Sequence, residues 1–233
     1  LIILDLMKKT LITGSKGNIG IPLVKNLSKD YNLTLFDLPR FDVRRYGQLI
    51  RVLPGHEAVI HLAWNTKTEN FQSKKIDFDN ILMFSNVYRA ALEAKVPKVI
   101  MASSIHADNF QEFLQKNKKG FMNPYKIPSP MNVYGKDKVA MENLGKEYAR
   151  KGLEVVCIRI GAIGPRKDKP TKKEGMAIWL THEDFAALIR KIIETKKIPN
   201  NYSIVYGVSN NKTRINDYSN PFGWKPKDDS SDK

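Results

Sequence analysis

The feature that most narrows the choice of fold is a glycine triplet, Gly14-Ser-Lys-Gly17-Asn-Ile-Gly20. It sits between the β-branched run Lys9–Thr13 and a helical pattern with Ile19, Leu23 and Leu27 on one face. Glycines at this spacing permit a tight turn, close approach of backbone to a pyrophosphate, and close helix–strand packing. The helix behind them, reached through Asn18 and Ile19, offers N–H groups and a favourable dipole to phosphates. A triplet alone is a weak signal. This one follows the first expected strand, opens the first expected helix, and precedes an acid, Asp37, at the end of the second expected strand Leu33–Asp37. A carboxylate there accepts hydrogen bonds from ribose hydroxyls and repels a 2′-phosphate, favouring NAD over NADP. Arg40, Arg44 and Arg45 lie nearby and weaken that preference.

The rest of the chain keeps the same rhythm. Further strands are expected at Ala58–Leu62, Lys98–Ala102, Leu153–Ile160 and Tyr202–Tyr206, and amphipathic helices over Ile81–Leu92, Val133–Ala149 and Glu183–Glu194, the last with Thr181 and Asp184 spaced as a capping box. Such alternation predicts an α/β fold, a doubly wound parallel (Rossmann) sheet covered on both faces. Residues 7–160 are expected to form the NAD-binding domain, and residues 161–233 a small substrate lobe with the last strand and helix of the sheet. Phe110–Pro130, with Gly120 and three prolines, and Gly161–Gly175 read as loops. Both follow expected strands, where an open α/β sheet forms its ligand crevice. The tail Lys225–Lys233 is polar and expected to fray.

Composition excludes several classes. The 233 residues are 42% hydrophobic and 27% charged, an ordinary globular balance. No apolar run is long enough to span a bilayer, and the opening seven residues lack the features of a signal peptide, so a cytoplasmic location is expected, with Met7 as a plausible natural start. The single cysteine, Cys157, lies in a run expected to be a buried strand, where it reads as a small core hydrophobe. The formal charge of +15 is scattered over short clusters such as Arg166–Lys173, the pattern of solvated lysines, so neither a nucleic-acid nor a membrane partner is expected. No metal site is expected.

Tyr134-Gly-Lys-Asp-Lys138 places a phenol and an ammonium four residues apart, on one face of a helix. Free tyrosine is a poor base at pH 7; bringing its pKa near neutrality takes about 4 kcal/mol of preferential phenolate stabilisation. A neighbouring lysine and the positive nicotinamide ring of NAD⁺ could supply this in a water-shielded site. Lys98–Ala102 is followed by Ser103-Ser104, two hydroxyl donors at the crevice end of a strand. Most isolated Tyr-x-x-x-Lys pairs are surface pairs. In this context Tyr134 reads as the acid/base, Lys138 as the group that tunes it and binds the ribose, and Ser104 as the group that orients substrate.

Together these residues resemble the short-chain dehydrogenase/reductase superfamily, in its extended, NAD-dependent epimerase/dehydratase branch. Thr13–Gly20 is similar to the cofactor fingerprint of that branch, Asp42-Val43 to the pair near the adenine, His61-Leu62-Ala63-Trp64 to the segment lining the cofactor, and Arg159–Arg166 to the strand and loop that close over the nicotinamide. Within the branch the chain resembles the uronate dehydrogenase group of sugar dehydrogenases. Ala102–His106, Trp179–Phe185, Val205–Ser209 and Phe222–Lys227 carry that likeness. The resemblance implies Ser104, Tyr134 and Lys138 as catalytic, with Thr66, His106 and Ala162 near the sugar. It also implies a cytoplasmic NAD enzyme oxidising C1 of a sugar to a lactone. The chain departs from the group at Ile105, where the group has a substrate-binding Asn, at Ala162, where it has Ser, and at Glu174, where it has the Arg that holds the uronate carboxylate. A neutral or phosphorylated aldose is therefore an alternative to a hexuronate.

Two other readings compete with the dehydrogenase. One is an epimerase or dehydratase of a nucleotide sugar, for which the short segment after Arg159 leaves a small lobe. The other is a non-catalytic NAD-sensing or nucleic-acid-binding protein, against which the Ser104, Tyr134 and Lys138 set argues. Pairing of two copies through their long helices is expected by analogy alone.

Overall fold

The computed structural model describes residues 7–66, 75–116, 119–164 and 169–231. Six parallel strands form one sheet: β1 (Lys9–Thr13), β2 (Asn32–Phe36), β3 (Ala58–His61), β4 (Lys98–Ser104), β5 (Glu154–Ile160) and β6 (Tyr202–Gly207), in the order β2-β1-β3-β4-β5-β6. The chain runs from β1 outward to β2 and then returns to the other side of β1. The order therefore reverses between β1 and β3, and the crevice at their carboxyl ends is the topological switch point. Register sets Thr13 level with both Phe36 and His61, and Ser104 level with Ile160.

Alternation along the strands builds two cores. Ile12, Ile60, Ile100 and Val156 face helices α1 (Gly20–Leu27) and α7 (His182–Glu194), packing against Leu23, Phe185 and Ile189. Their neighbours Leu11, Val59, Val99 and Val155 face the other way, toward Leu49 of α2 (Tyr46–Val52), Val87 and Tyr88 of α3 (Phe78–Glu93) and Met141 of α5 (Val133–Arg150). All seven residues of β5 are buried, as a strand covered on both faces requires. Cys157 is among them. A smaller cluster of Ile105, Phe110, Ile178, Tyr206, Val208 and Ile215 lies where the chain leaves β4, β5 and β6.

Three expectations need correction. Phe110–Gln115 is a helix, α4, not loop: Asn109 caps it by accepting from the Glu112 N–H at 3.1 Å. Gly161–Gly175 is not loop throughout: Ala162 pairs with Trp179, and Lys173–Ala177 forms a short helix, α6; residues 165–168 of that stretch, including Arg166, lie outside the described residues. The described part of the tail, residues 225–231, does not fray. The Lys227 and Asp228 N–H groups donate to the Asp184 carboxylate at 2.9 and 3.1 Å, the Ser230 N–H donates to Asn211, and Asp229 and Ser230 are buried. Only half of the expected capping box forms. Thr181 accepts from the Asp184 N–H, whereas the Asp184 carboxylate turns to this tail and to Ser209. No helix among the described residues is long and apolar enough to cross a membrane.

Candidate active site

The glycine loop folds as its spacing requires. Gly14 has φ +68, and a Cβ there would lie 2.6 Å from the Ala63 nitrogen, so only glycine lets the loop after β1 meet the loop after β3. Gly17 closes the turn by donating to the Gly14 carbonyl at 3.1 Å. Helix α1 starts with no side-chain cap.

These elements border a cleft of about 840 Å³, lined by Gly14, Gly17, Asn18, Ile19, Gly20, Asp37, Asp42, Val43, Leu62 and Ala63. Every residue expected at the dinucleotide except Lys138 lies on it. Thr66, expected near the sugar, lies on it too. Phe36, Phe41, Arg44, Trp64 and Ile163 complete much of the wall; Trp64 and Ile163 lie in segments expected to border the cofactor and Arg44 was expected near Asp37, whereas Phe36 and Phe41 were not anticipated as site residues. Asp37 stands one residue beyond β2 and accepts from the Lys16 and Leu38 N–H groups, both at 2.7 Å. It thereby ties the glycine loop to the second strand. Asp42 is paired with Arg44, whose side chain holds its carboxyl below the usual range.

The second half of the site comes from β4 and α5. Ser104 ends β4, and its hydroxyl accepts from the His106 N–H at 3.2 Å, which begins a short 3₁₀ turn, Ile105–Ala107. Helix α5 begins on top of that turn. Asn132 caps it, accepting from the Gly135 N–H at 2.8 Å. A Cβ on Gly135 would lie 2.0 Å from the His106 carbonyl oxygen, so glycine at that position seats the first turn of α5 directly on the turn that follows Ser104. Tyr134 is consequently hydrogen-bonded to Ser104. Its ring meets those of His106 at 5.7 Å and Trp64 at 6.1 Å, both edge-on.

Lys138, one turn further on, is buried. Its ammonium donates to the Ala102 carbonyl at 2.6 Å and lies 3.3 Å from the Trp64 ring centre and 5.5 Å from that of Tyr134. Ser104, Tyr134 and Lys138 therefore converge, with Trp64 joining them to the glycine cleft. Burial sets the ionisation here. It pushes the Tyr134 phenol up against the downward pull of the Ser104 hydrogen bond, and it pushes the Lys138 ammonium well below its usual range. The expected lowering of the phenol is not reached in this arrangement: burial outweighs the Ser104 hydrogen bond.

Of the other residues expected near the sugar, His106 lies between Tyr134 and Phe110, its pKa lowered by burial. Ala162 pairs with Trp179 through its backbone. Ile105 is buried in the small apolar cluster. Among the described residues, no cluster of three or more His, Cys, Asp or Glu could hold a metal ion.

Comparison with known proteins places this arrangement in a family. Residues 10–204 match the model of the NAD-dependent epimerase/dehydratase family. The chain belongs to that family. Its relatives include L-arabinose 1-dehydrogenase (NAD(P)(+)) of Haloferax volcanii, 28% identical over 97% of this chain and 98% of that protein. NAD-dependent glucose-6-phosphate dehydrogenase of the same organism is 26% identical over 95% of this chain and 94% of that protein. Among solved structures, uronate dehydrogenase from Agrobacterium tumefaciens superposes with a TM-score of 0.81 at 26% identity, covering 96% of this chain and 86% of that one. Family membership accounts for the Rossmann-like sheet and for a dinucleotide cleft at its switch point.

Proposed function

We propose that this chain is an NAD-dependent dehydrogenase that oxidises a sugar at C1 to a lactone, with Tyr134 as general base. The observation that carries the reading is the hydrogen bond between Tyr134 and Ser104, one helical turn from the Lys138 ammonium and joined to the glycine cleft through Trp64. The residues of the cleft fit a dinucleotide: Gly14 leaves no room for a side chain between the two loops, and the Asp37 carboxylate stands at the position suited to ribose hydroxyls. When bound, NAD⁺ supplies the hydride acceptor. Ser104 holds the C1 oxygen of the sugar beside the phenol. Tyr134 takes the proton from that oxygen as the C1–H bond breaks, leaving C1 doubly bonded to oxygen in the ring ester. Lys138 offsets the charge that forms on the phenol oxygen.

The relatives named for arabinose, glucose 6-phosphate and uronate share a small sugar as substrate, which supports that class over a nucleotide sugar. The buried, apolar Ile105 offers a sugar no polar contact, which favours a neutral or phosphorylated aldose over a uronate. The test is a panel of aldoses, aldose phosphates and hexuronates incubated with NAD⁺. A dehydrogenase forms one NADH per sugar oxidised, whereas conversion of a nucleotide sugar without net NADH would establish an epimerase instead.

Asp37 is assigned to the preference for NAD over NADP. Asp37→Ala should weaken NAD binding and raise the NADP-to-NAD ratio of kcat/KM by tenfold or more, a discrimination of roughly 1.4 kcal/mol. Titrations unchanged for both cofactors would reject that assignment.

A further inference from the structure

Behind the catalytic side chains lies a buried ionic network that the proposed mechanism does not use. Arg159 of β5 is fully buried. Its Nε and Nη2 donate to the two carboxylate oxygens of Glu142 at 2.9 and 2.7 Å, and its Nη1 donates to Asp108 at 2.5 Å. Ser103 Oγ donates to Glu142 at 2.6 Å, and the Tyr206 hydroxyl donates to Asp108. The network thus joins β4, α5, β5 and β6 just beneath the site. Two carboxylates share one guanidinium, so with both ionised the network carries one surplus negative charge, although burial raises the Asp108 carboxyl above its ordinary range.

Glu142 follows Lys138 by four residues on α5 and stands one turn from it on the same face. Ser103 directly precedes Ser104. An unbalanced buried charge is costly, and an opposite charge one turn away offsets that cost for both partners. Resting on the dehydrogenase reading above, we propose that Glu142 is a positioning residue: its network supplies the negative charge that keeps Lys138 an ammonium, and its bond to Ser103 fixes the end of β4 that presents Ser104. The other titratable groups near Lys138 are Asp137 and Tyr134 on α5, His61 on β3 and Cys157 on β5. Neutral His61 and Cys157 add no charge. Asp137 also favours the ammonium, but after Glu142. Burial is the opposing influence, and the two together set where Lys138 titrates.

The experiment is the pH profile of sugar oxidation by Glu142→Gln, a substitution of equal size that removes the charge and exchanges one acceptor oxygen for an amide donor. Tyr134 and Lys138 titrate as a pair, and the productive state, phenolate with ammonium, holds one proton. Easier loss of the Lys138 proton depletes that state at high pH and leaves it untouched at low pH. The expected profile coincides with wild type within a few-fold at its acid end and falls by about tenfold at its alkaline end, with the sugar KM changed by less than a few-fold. A defect of packing alone lowers the rate equally at every pH; that result, or a profile identical to wild type, overturns the proposal. Asp108→Asn, which removes the surplus charge from the far end of the network, should produce the same alkaline loss to a smaller degree. It decides the question if Glu142→Gln does not fold. Tyr134→Phe separates this proposal from the one beneath it. If that variant keeps its activity the dehydrogenase reading fails, whereas if it is inactive and neither charge variant changes the profile, only the role of Glu142 is rejected.

Discussion

At the residue scale, the proposed chemistry depends on one phenol held in low-dielectric surroundings. Tyr134 packs edge-on against His106 and Trp64 and bonds to Ser104, and this burial raises the phenol above its ordinary pKa while depressing Lys138. Tyr134→Phe removes a single oxygen from this packing. It should lower kcat for oxidation by at least a hundredfold, the usual scale of a general base, while NAD binding measured by calorimetry stays within a few-fold of wild type. Turnover close to wild type would remove Tyr134 from the base role. The pH dependence follows from the signs of the shifts. A phenol raised by burial is protonated at neutrality, so the productive phenolate grows as pH rises. Oxidation should increase by about tenfold per pH unit along the acid limb of kcat/KM. Reduction of the lactone requires the protonated phenol and should favour the lower end of the range. An oxidation rate that is flat across the acid limb would contradict this assignment.

At the scale of elements, the two glycine contacts set the site. Gly14 brings the loops after β1 and β3 together, and Gly135 lets α5 start on the turn after Ser104. At the far side of the sheet, Asp184 in the first turn of α7 serves as the anchor of the C-terminal segment. It accepts from Ser209 Oγ at 2.7 Å and from the Lys227 and Asp228 N–H groups, while the Asp184 carbonyl accepts from Trp224 Nε1 at 3.2 Å. Asp184→Ala leaves the carbonyl bond to Trp224 in place but takes the acceptor from Ser209 Oγ and the Lys227 and Asp228 N–H groups, and should cost roughly 3 kcal/mol of folding stability in denaturant titrations, with faster amide exchange concentrated in residues 225–231. Uniform exchange across the chain would show that the tail is held by something else. Such a tail is hard to read from sequence. Lys225–Lys233 is polar, and its bonds run from its own backbone to an acid some 43 residues earlier. Helix α4 escaped for a related reason: six residues carry too little periodicity to stand out before a proline-rich stretch, and the Asn109 cap marks them only once Glu112 is seen above it. The strands, by contrast, were legible to within a residue or two, because burial on both faces imposes unbroken apolar runs such as Val155–Ile158.

At the scale of the whole molecule, the sheet order sets out the division of labour. The reversal between β1 and β3 opens the glycine-loop cleft, and β4 with α5 brings Ser104, Tyr134 and Lys138 next to it. The positions of the glycine loop, Asp37, Ser104, Tyr134 and Lys138 around the cleft were legible because each lies within a short local pattern. The Arg159 network was not, since its acids lie 17 and 51 residues away and only the fold pairs them. Trp64 was present in a recognisable segment, but its contact with Lys138 depends on β3 and α5 meeting across the site. His61, at the end of β3, links the site to global stability. Its Nδ1 is 2.8 Å from Thr13 Oγ1, its Nε2 is buried with no partner among the described residues, and burial with the nearby Lys138 charge pushes its pKa down to about 3. Between its ordinary pKa of about 6.5 and that value, the unfolded chain binds a proton that the folded chain refuses. Stability is therefore full above pH 6.5 and declines as the medium is acidified, by about 1.4 kcal/mol per pH unit for this one group. His56 and His106, also lowered by burial, act in the same direction. His61→Asn, compared with wild type by denaturant titration at matched pH, should flatten the slope between pH 6 and pH 4 by close to one proton. Equal slopes for the two proteins would mean that His61 takes up its proton without unfolding the sheet around it.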